Sequence, residues 1–123
     1  MGTKDRIGLK HAIAGIFTAL KSEYNMRVHF IIMFIVIFSG LFFKITVLEW
    51  LFVILAIGLV LALELINTVV ELITDVLYKE RHETAKNIKD ISAAAVLVAA
   101  IFAAMVGVII FLPKVIEFLN QLF

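Results

Sequence analysis

Cysteine is absent from this chain, which excludes a disulfide framework, a thiolate metal site and a cysteine nucleophile. Proline occurs once, at Pro113, where it is expected to end the last apolar run. Charge is scarce: 17% of the 123 residues are charged against 63% hydrophobic, and the mean hydropathy is +1.12. That balance excludes a soluble domain of this size, so stability must come from helix packing or from association of copies. The formal charge is only +1 and no basic block is interleaved with aromatics, which excludes nucleic acid as a partner. The opening MGTKDRIGLK lacks the charged, apolar, small-residue order of a cleaved signal peptide, so the first span is expected to direct insertion. The patterns Gly-x-x-x-x-Gly-Lys-Ser/Thr and Gly-x-Gly-x-x-Gly are both missing. Any kinase chemistry here therefore uses neither the P-loop nor the protein-kinase arrangement.

What is present reads as an all-α integral membrane protein with one surface helix and three spans. Residues 4–22 mix Lys4, Arg6, Lys10 and Lys21 with Ile7, Ile13, Ile16, Phe17 and Leu20, the pattern of an amphipathic helix lying at the membrane surface. A polar cluster, Glu23 to His29, opens the first span, placed at 28–45, and a short turn leads into the second, placed at 48–78. Trp50 falls where an interfacial aromatic is expected. A charge-dense loop is expected at 79–90, and the third span at 91–112 opens with Ser92-Ala93-Ala94-Ala95, small residues that allow close helix contact. Five Lys and Arg lie in the segment through Arg27 and four in the loop, against Lys44 in the first turn and Lys114 in the tail. Nine against two places the N-terminus and the charged loop in the cytoplasm.

The stretch from Glu64 to Asp90 carries polar residues out of an apolar run, Trp50 to Leu63, that contains no charge. On a helix, Glu64, Asn67, Glu71 and Asp75 fall within roughly 80° of one face. A charge near the bilayer interior costs about 3 kcal/mol or more, so this stripe faces protein or a site rather than lipid. Carboxylates with an amide, a basic loop and no paired histidines favour a hard cation such as Mg2+, and Lys89 adds a cation for phosphate oxygens. These are the parts that phosphoryl transfer needs. An ion or proton pathway along the carboxylates, and a polar face buried in an oligomer, are the competing readings of the same stripe.

The pattern Glu64-x-x-Asn67-x-x-x-Glu71-x-x-x-Asp75, then His82, then Ala85-Lys86-x-x-Lys89-Asp90 leading into Ser92-Ala93-Ala94-Ala95-Val96-Leu97, resembles the prokaryotic diacylglycerol kinase family. The likeness extends to the surface helix and to Glu23-x-Asn25-x-x-x-His29. Gly15 to Glu23 and Gly40 to Leu51 look closest to the Gram-positive branch, whose members are undecaprenol kinases. The resemblance implies a homotrimer with active sites shared between subunits, ATP as phosphate donor and Mg2+ as cofactor. It implies that Glu64 is the general base toward a lipid hydroxyl, that Asn67 orients Glu64 or the γ-phosphate, and that Glu23 and Glu71 hold the metal on the nucleotide. Lys89 and Asp90 match the nucleotide-contacting pair, Glu80, Arg81 and His82 the loop beside the nucleotide, and Asn25, Arg27 and His29 the lipid-access region. Of the N-terminal basic residues, Lys10 is taken as the nucleotide contact over Lys4 and Arg6. Asp75 aligns as well. Ala93 departs from the pattern, standing where some relatives carry a hydroxyl. A diacylglycerol kinase is the alternative within the family, and a carboxylate-lined ion or proton transporter the alternative outside it.

Overall fold

The structure is a computed structural model and describes residues 8–123. Four helices follow one another: α1 (Gly8–Ser22), α2 (Tyr24–Phe42), α3 (Val47–Leu77) and α4 (Glu83–Leu122). The last three are long and apolar enough to cross a membrane. The expected start of the surface helix, with Lys4 and Arg6, lies outside the described residues. Within α1, Ala19 is buried and Ile16 and Leu20 are half-buried where the helix meets α2 and α3, while Leu9, Ile13 and Phe17 stay exposed, an apolar strip that suits a membrane surface.

Glu23 is the one non-helical residue between α1 and α2, in extended backbone (φ −114°, ψ 118°). The joint is braced from the next turn, where the Arg27 guanidinium donates to the carbonyls of Leu20 and Lys21, both at 3.0 Å. Those carbonyls end α1 and have no partner within it, so a cationic donor suits them doubly.

At the far end of α2 the chain reverses over Phe43–Thr46. Lys44 takes the left-handed conformation (φ 51°), and the amides of Phe43, Lys44 and Ile45 return to the carbonyls of Ser39, Leu41 and Gly40. Thr46 then starts α3 with a reciprocal cap: its hydroxyl accepts from the Glu49 amide at 3.2 Å while Glu49 Oε1 accepts from the Thr46 amide at 3.0 Å. The core sits against this turn. Ile45, Val53 and Ile110 are buried, with Val36, Phe43, Trp50, Ile57, Val106 and Phe111 packed around them. Trp50, expected at the interface, turns its ring inward over Gly40.

Helix α4 departs most from the sequence reading. Glu83 to Asp90, expected in a loop, are helical; His82 Nδ1 accepts from the Thr84 amide at 3.0 Å and starts the helix there. The non-helical connection is only Tyr78 to His82. Pro113 does not stop the helix, which runs on to Leu122. The continuation is held from outside: Lys114 donates to Glu49 Oε2 at 2.9 Å, and Phe118 meets Phe42 and Phe43 edge-on. A proline removes one hydrogen bond, and in apolar helices neighbouring packing makes that tolerable. α4 packs most extensively on α3, and α2 lies against α3 from the other side.

Candidate active site

The polar stripe of α3 is graded in depth. Glu64 is 1% exposed and Asn67 5%, Glu71 is half-buried, and Asp75 is exposed. The helical rise explains the order, since each step of three or four residues moves about 5 Å toward the end of the bundle. Buried threonines on the same helix satisfy themselves: Thr68 donates to the Glu64 carbonyl at 3.0 Å and Thr74 to the Val70 carbonyl at 2.6 Å. The acid and the amide do not. Among the described residues Glu64 Oε1 and Asn67 Oδ1 are buried with no hydrogen-bond partner, although the Asn67 side chain is close enough to act on the Glu64 carboxylate. Leaving such groups unpaired costs about 1–3 kcal/mol each, more for a charge, and a group kept that way calls for a functional explanation.

The other carboxylate oxygen, Glu64 Oε2, faces His29 Nε2 of α2 at 3.6 Å. His29 also borders an apolar cavity of about 270 Å³ between α2, α3 and α4, walled by Ile32, Met33, Val60, Ala100 and Ala103 among others. The carboxylates of Glu23 and Glu71 are both within electrostatic reach of Glu64. The Glu23 carboxyl is pushed above its ordinary range, first by burial, then by the charges of Glu71 and Asp75, with Arg27 opposing. Two carboxylates within electrostatic reach of one another form a donor set that fits a hard divalent cation. Among the described residues no three Asp, Glu or His side chains come close enough to hold a metal by themselves.

Beyond Asp75 a second, polar cavity of about 330 Å³ opens between the end of α3 and the start of α4. It gathers Glu80, Arg81, His82, Lys89 and Asp90, all expected from sequence, and adds Thr74, Tyr78, Lys79 and Lys86. Lys89 is ion-paired with Asp75 across the two helices, and Lys86 with Asp90 at 2.6 Å along α4. The Tyr78 and His82 rings lie 5.1 Å apart at its edge.

The remaining expected residues are more loosely placed. Lys10 is exposed on α1, and Asn25 is exposed in the first turn of α2. Arg27, expected at the lipid-access region, spends its guanidinium on the α1 carbonyls and on the Tyr24 ring, 6.0 Å away. Sequence reasoning missed the His29 to Glu64 pair and the Asp75 to Lys89 pair. Both join different helices, and spacing within one chain gives no sign of such a contact.

Residues 10–111 match the model of the prokaryotic diacylglycerol kinase family. The chain is 36% identical over 104 residues to an undecaprenol kinase of Bacillus subtilis, covering 85% of each chain. It is 33% identical over 112 residues to a diacylglycerol kinase of Synechocystis, covering 90% of this chain and 64% of that one. It is also 33% identical over 104 residues to a diacylglycerol kinase of Haemophilus influenzae, covering 83% and 88% respectively. The chain belongs to the prokaryotic diacylglycerol kinase family.

Proposed function

We propose that this lipid kinase transfers the γ-phosphate of ATP to the hydroxyl of undecaprenol, at the cytoplasmic face of a bacterial plasma membrane. The observation that carries the reading is the position of Glu64. It is a buried carboxylate with one unpaired oxygen, placed along α3 between the stretch that lines the apolar cavity, Val53 to Leu61, and Thr74 and Asp75, which line the polar one. A lipid alcohol reaches it from the first and a nucleotide from the second. The similarity to the undecaprenol kinase of Bacillus subtilis supports the choice of acceptor.

In this mechanism the lipid oxygen attacks the γ-phosphorus in line, Glu64 takes the hydroxyl proton, and the bond from the γ-phosphorus to the β-phosphate oxygen breaks to release ADP. Asn67, one turn along, orients the carboxylate or the γ-phosphate. Glu23 and Glu71 would hold Mg2+, which when bound supplies charge neutralisation on the phosphate oxygens. Lys89 exchanges Asp75 for phosphate oxygens. Asp90 and the segment Glu80 to His82 line the nucleotide side, with Lys10 reaching it from the surface helix, while Asn25, Arg27 and His29 border the lipid. The excess of Lys and Arg in the N-terminal segment and around the α3–α4 connection supports a cytoplasmic site. The many large apolar side chains left exposed on the bundle, Phe38 and Ile109 among them, leave room for a homotrimer with sites between subunits.

The test is transfer of labelled γ-phosphate from Mg-ATP by the purified protein in mixed micelles that offer undecaprenol and diacylglycerol together. Label in undecaprenyl phosphate is the expected result. Label mainly in phosphatidic acid keeps the chemistry and changes the acceptor, and label in neither lipid overturns the reading.

A further inference from the structure

A base as deeply buried as Glu64 has a second problem after it has taken a proton: the proton must leave before the next turnover. Glu64 is 1% exposed, so water does not reach it freely. The groups that face it can be named. From α3 there is Glu71, from the α1–α2 joint Glu23, and from α2 His29. From α4 the nearby cavity wall is apolar, Ala100, Ala103 and Ala104. In the kinase reading Glu23 and Glu71 are occupied in their working state by the cation they would hold, which leaves them poor proton acceptors. Lys89 already carries its full complement of protons and is paired with Asp75.

His29 is left as the basic group that addresses Glu64. Its Nε2 lies 3.6 Å from Glu64 Oε2, a few tenths of an ångström beyond a hydrogen bond, and its side chain keeps 19% exposure. The imidazole thus bridges a buried oxygen and the outside. Its two nitrogens allow it to take a proton on one side and release it from the other, and it is the side chain whose ordinary pKa lies near neutrality.

Resting on the kinase reading above, we infer that His29 is a positioning residue that carries the proton away from Glu64 after each transfer. The atoms balance as follows. The lipid O–H bond breaks and its proton goes to Glu64 as the new P–O bond forms. The proton then passes from the Glu64 carboxylic acid to neutral His29 Nε2, giving a carboxylate and an imidazolium. The imidazolium releases the proton from Nδ1 to water, which restores its neutral charge, and proton exchange with water returns the ring to the tautomer whose Nε2 is free to accept again. His29 at the mouth of the apolar cavity therefore serves more than the lipid's fit.

The experiment compares the full-length parent with His29→Gln, whose amide keeps a polar group near Glu64 but cannot carry a proton, and with His29→Ala with and without added imidazole. Expected for His29→Gln is a fall in kcat of about 10- to 100-fold, with KM for Mg-ATP and for lipid within about twofold of the parent. The pH dependence of kcat should differ from the parent's in that variant, and imidazole should restore part of the rate of His29→Ala. A His29→Gln protein with parental kcat and pH profile overturns the inference. So does a raised lipid KM at unchanged kcat, which would make His29 a lipid contact alone. Should the variants not fold, the parent decides: a kcat independent of pH over the whole range in which the protein stays folded overturns the relay. A parent that phosphorylates no lipid fails the kinase reading itself, a result visible before any variant is made.

Discussion

The two ends of the bundle use similar materials, a carboxylate, a lysine and a helix terminus, and finish them in opposite ways. At the α2–α3 turn, Glu49 has both oxygens engaged, one by the Thr46 amide and one by Lys114, and the apolar cluster of Ile45, Val53 and Ile110 lies against the same turn. At the other end, Glu64 is more deeply buried yet keeps an oxygen without a partner, and its nearest carboxylates repel one another. A protein under selection for stability alone would satisfy the deeper group first. The turn end is where the fold is held together, and the site end is where stability is given up to keep reactive groups available.

Exchanging Glu64 for Gln breaks this contrast most sharply. With the base gone, lipid phosphorylation should fall by about 10³-fold. The neutral amide removes a charge from a buried position, so thermal unfolding in detergent should occur at the parental temperature or above it. A variant that loses stability along with activity would show that the Glu64 carboxylate helps to hold the fold.

Lys89→Met tests the same end from the nucleotide side. Removing the cation should raise KM for Mg-ATP by about 10-fold or more with little change in KM for lipid. A rise in the lipid KM instead would move Lys89 to the acceptor side.

How far the sequence led depended on whether a feature was local. The stripe Glu64, Asn67, Glu71 and Asp75 was legible because helical spacing puts it on one face whatever surrounds it. Its gradation from buried base to exposed ion pair was not, because depth depends on where α2 and α4 lie. The start of α4 was misplaced because density of charge reads as loop, and His82 is not among the favoured capping residues. Continuation past Pro113 was hidden for the complementary reason. Proline is a local stop signal, whereas Lys114 to Glu49 and Phe118 to Phe42 are contacts between segments far apart in sequence.

At the turn end, Gly40→Ala should reverse the pattern seen with Glu64. A methyl group there would sit 2.6 Å from Cη2 and 2.8 Å from Cζ2 of the Trp50 ring, with Ile45 at 3.1 Å behind it. A rigid indole held in the core cannot yield cheaply, and overpacking of this kind costs about 1–3 kcal/mol. Unfolding should move to lower temperature while the rate per folded molecule stays parental. Thr46→Ala, which removes one half of the reciprocal cap, should do the same on a smaller scale, about 1 kcal/mol. Loss of specific activity in either variant would mean that the turn end communicates with the site.

The smallest effect is a displacement of a titration curve, and it sharpens the account of the site end. The Glu23 carboxyl lies above its ordinary range because of burial, Glu71 and Asp75, in that order. A carboxyl raised in the fold lends stability below its unfolded pKa and gives it up as pH rises through the folded one. A cation binding to the ionised form opposes that loss, so Mg2+ activation should strengthen as pH rises through the titration of Glu23. Asp75→Asn removes one of the two like charges and also frees Lys89, and both changes favour the ionised form of Glu23. The acid limb of Mg2+ activation should therefore move to lower pH. Because Asp75 ranks behind burial and Glu71 among the causes, the move should be modest. Movement to higher pH, or none, would mean that Glu23 does not take part in the cation site, leaving Glu71 to hold the metal with the nucleotide's own phosphates.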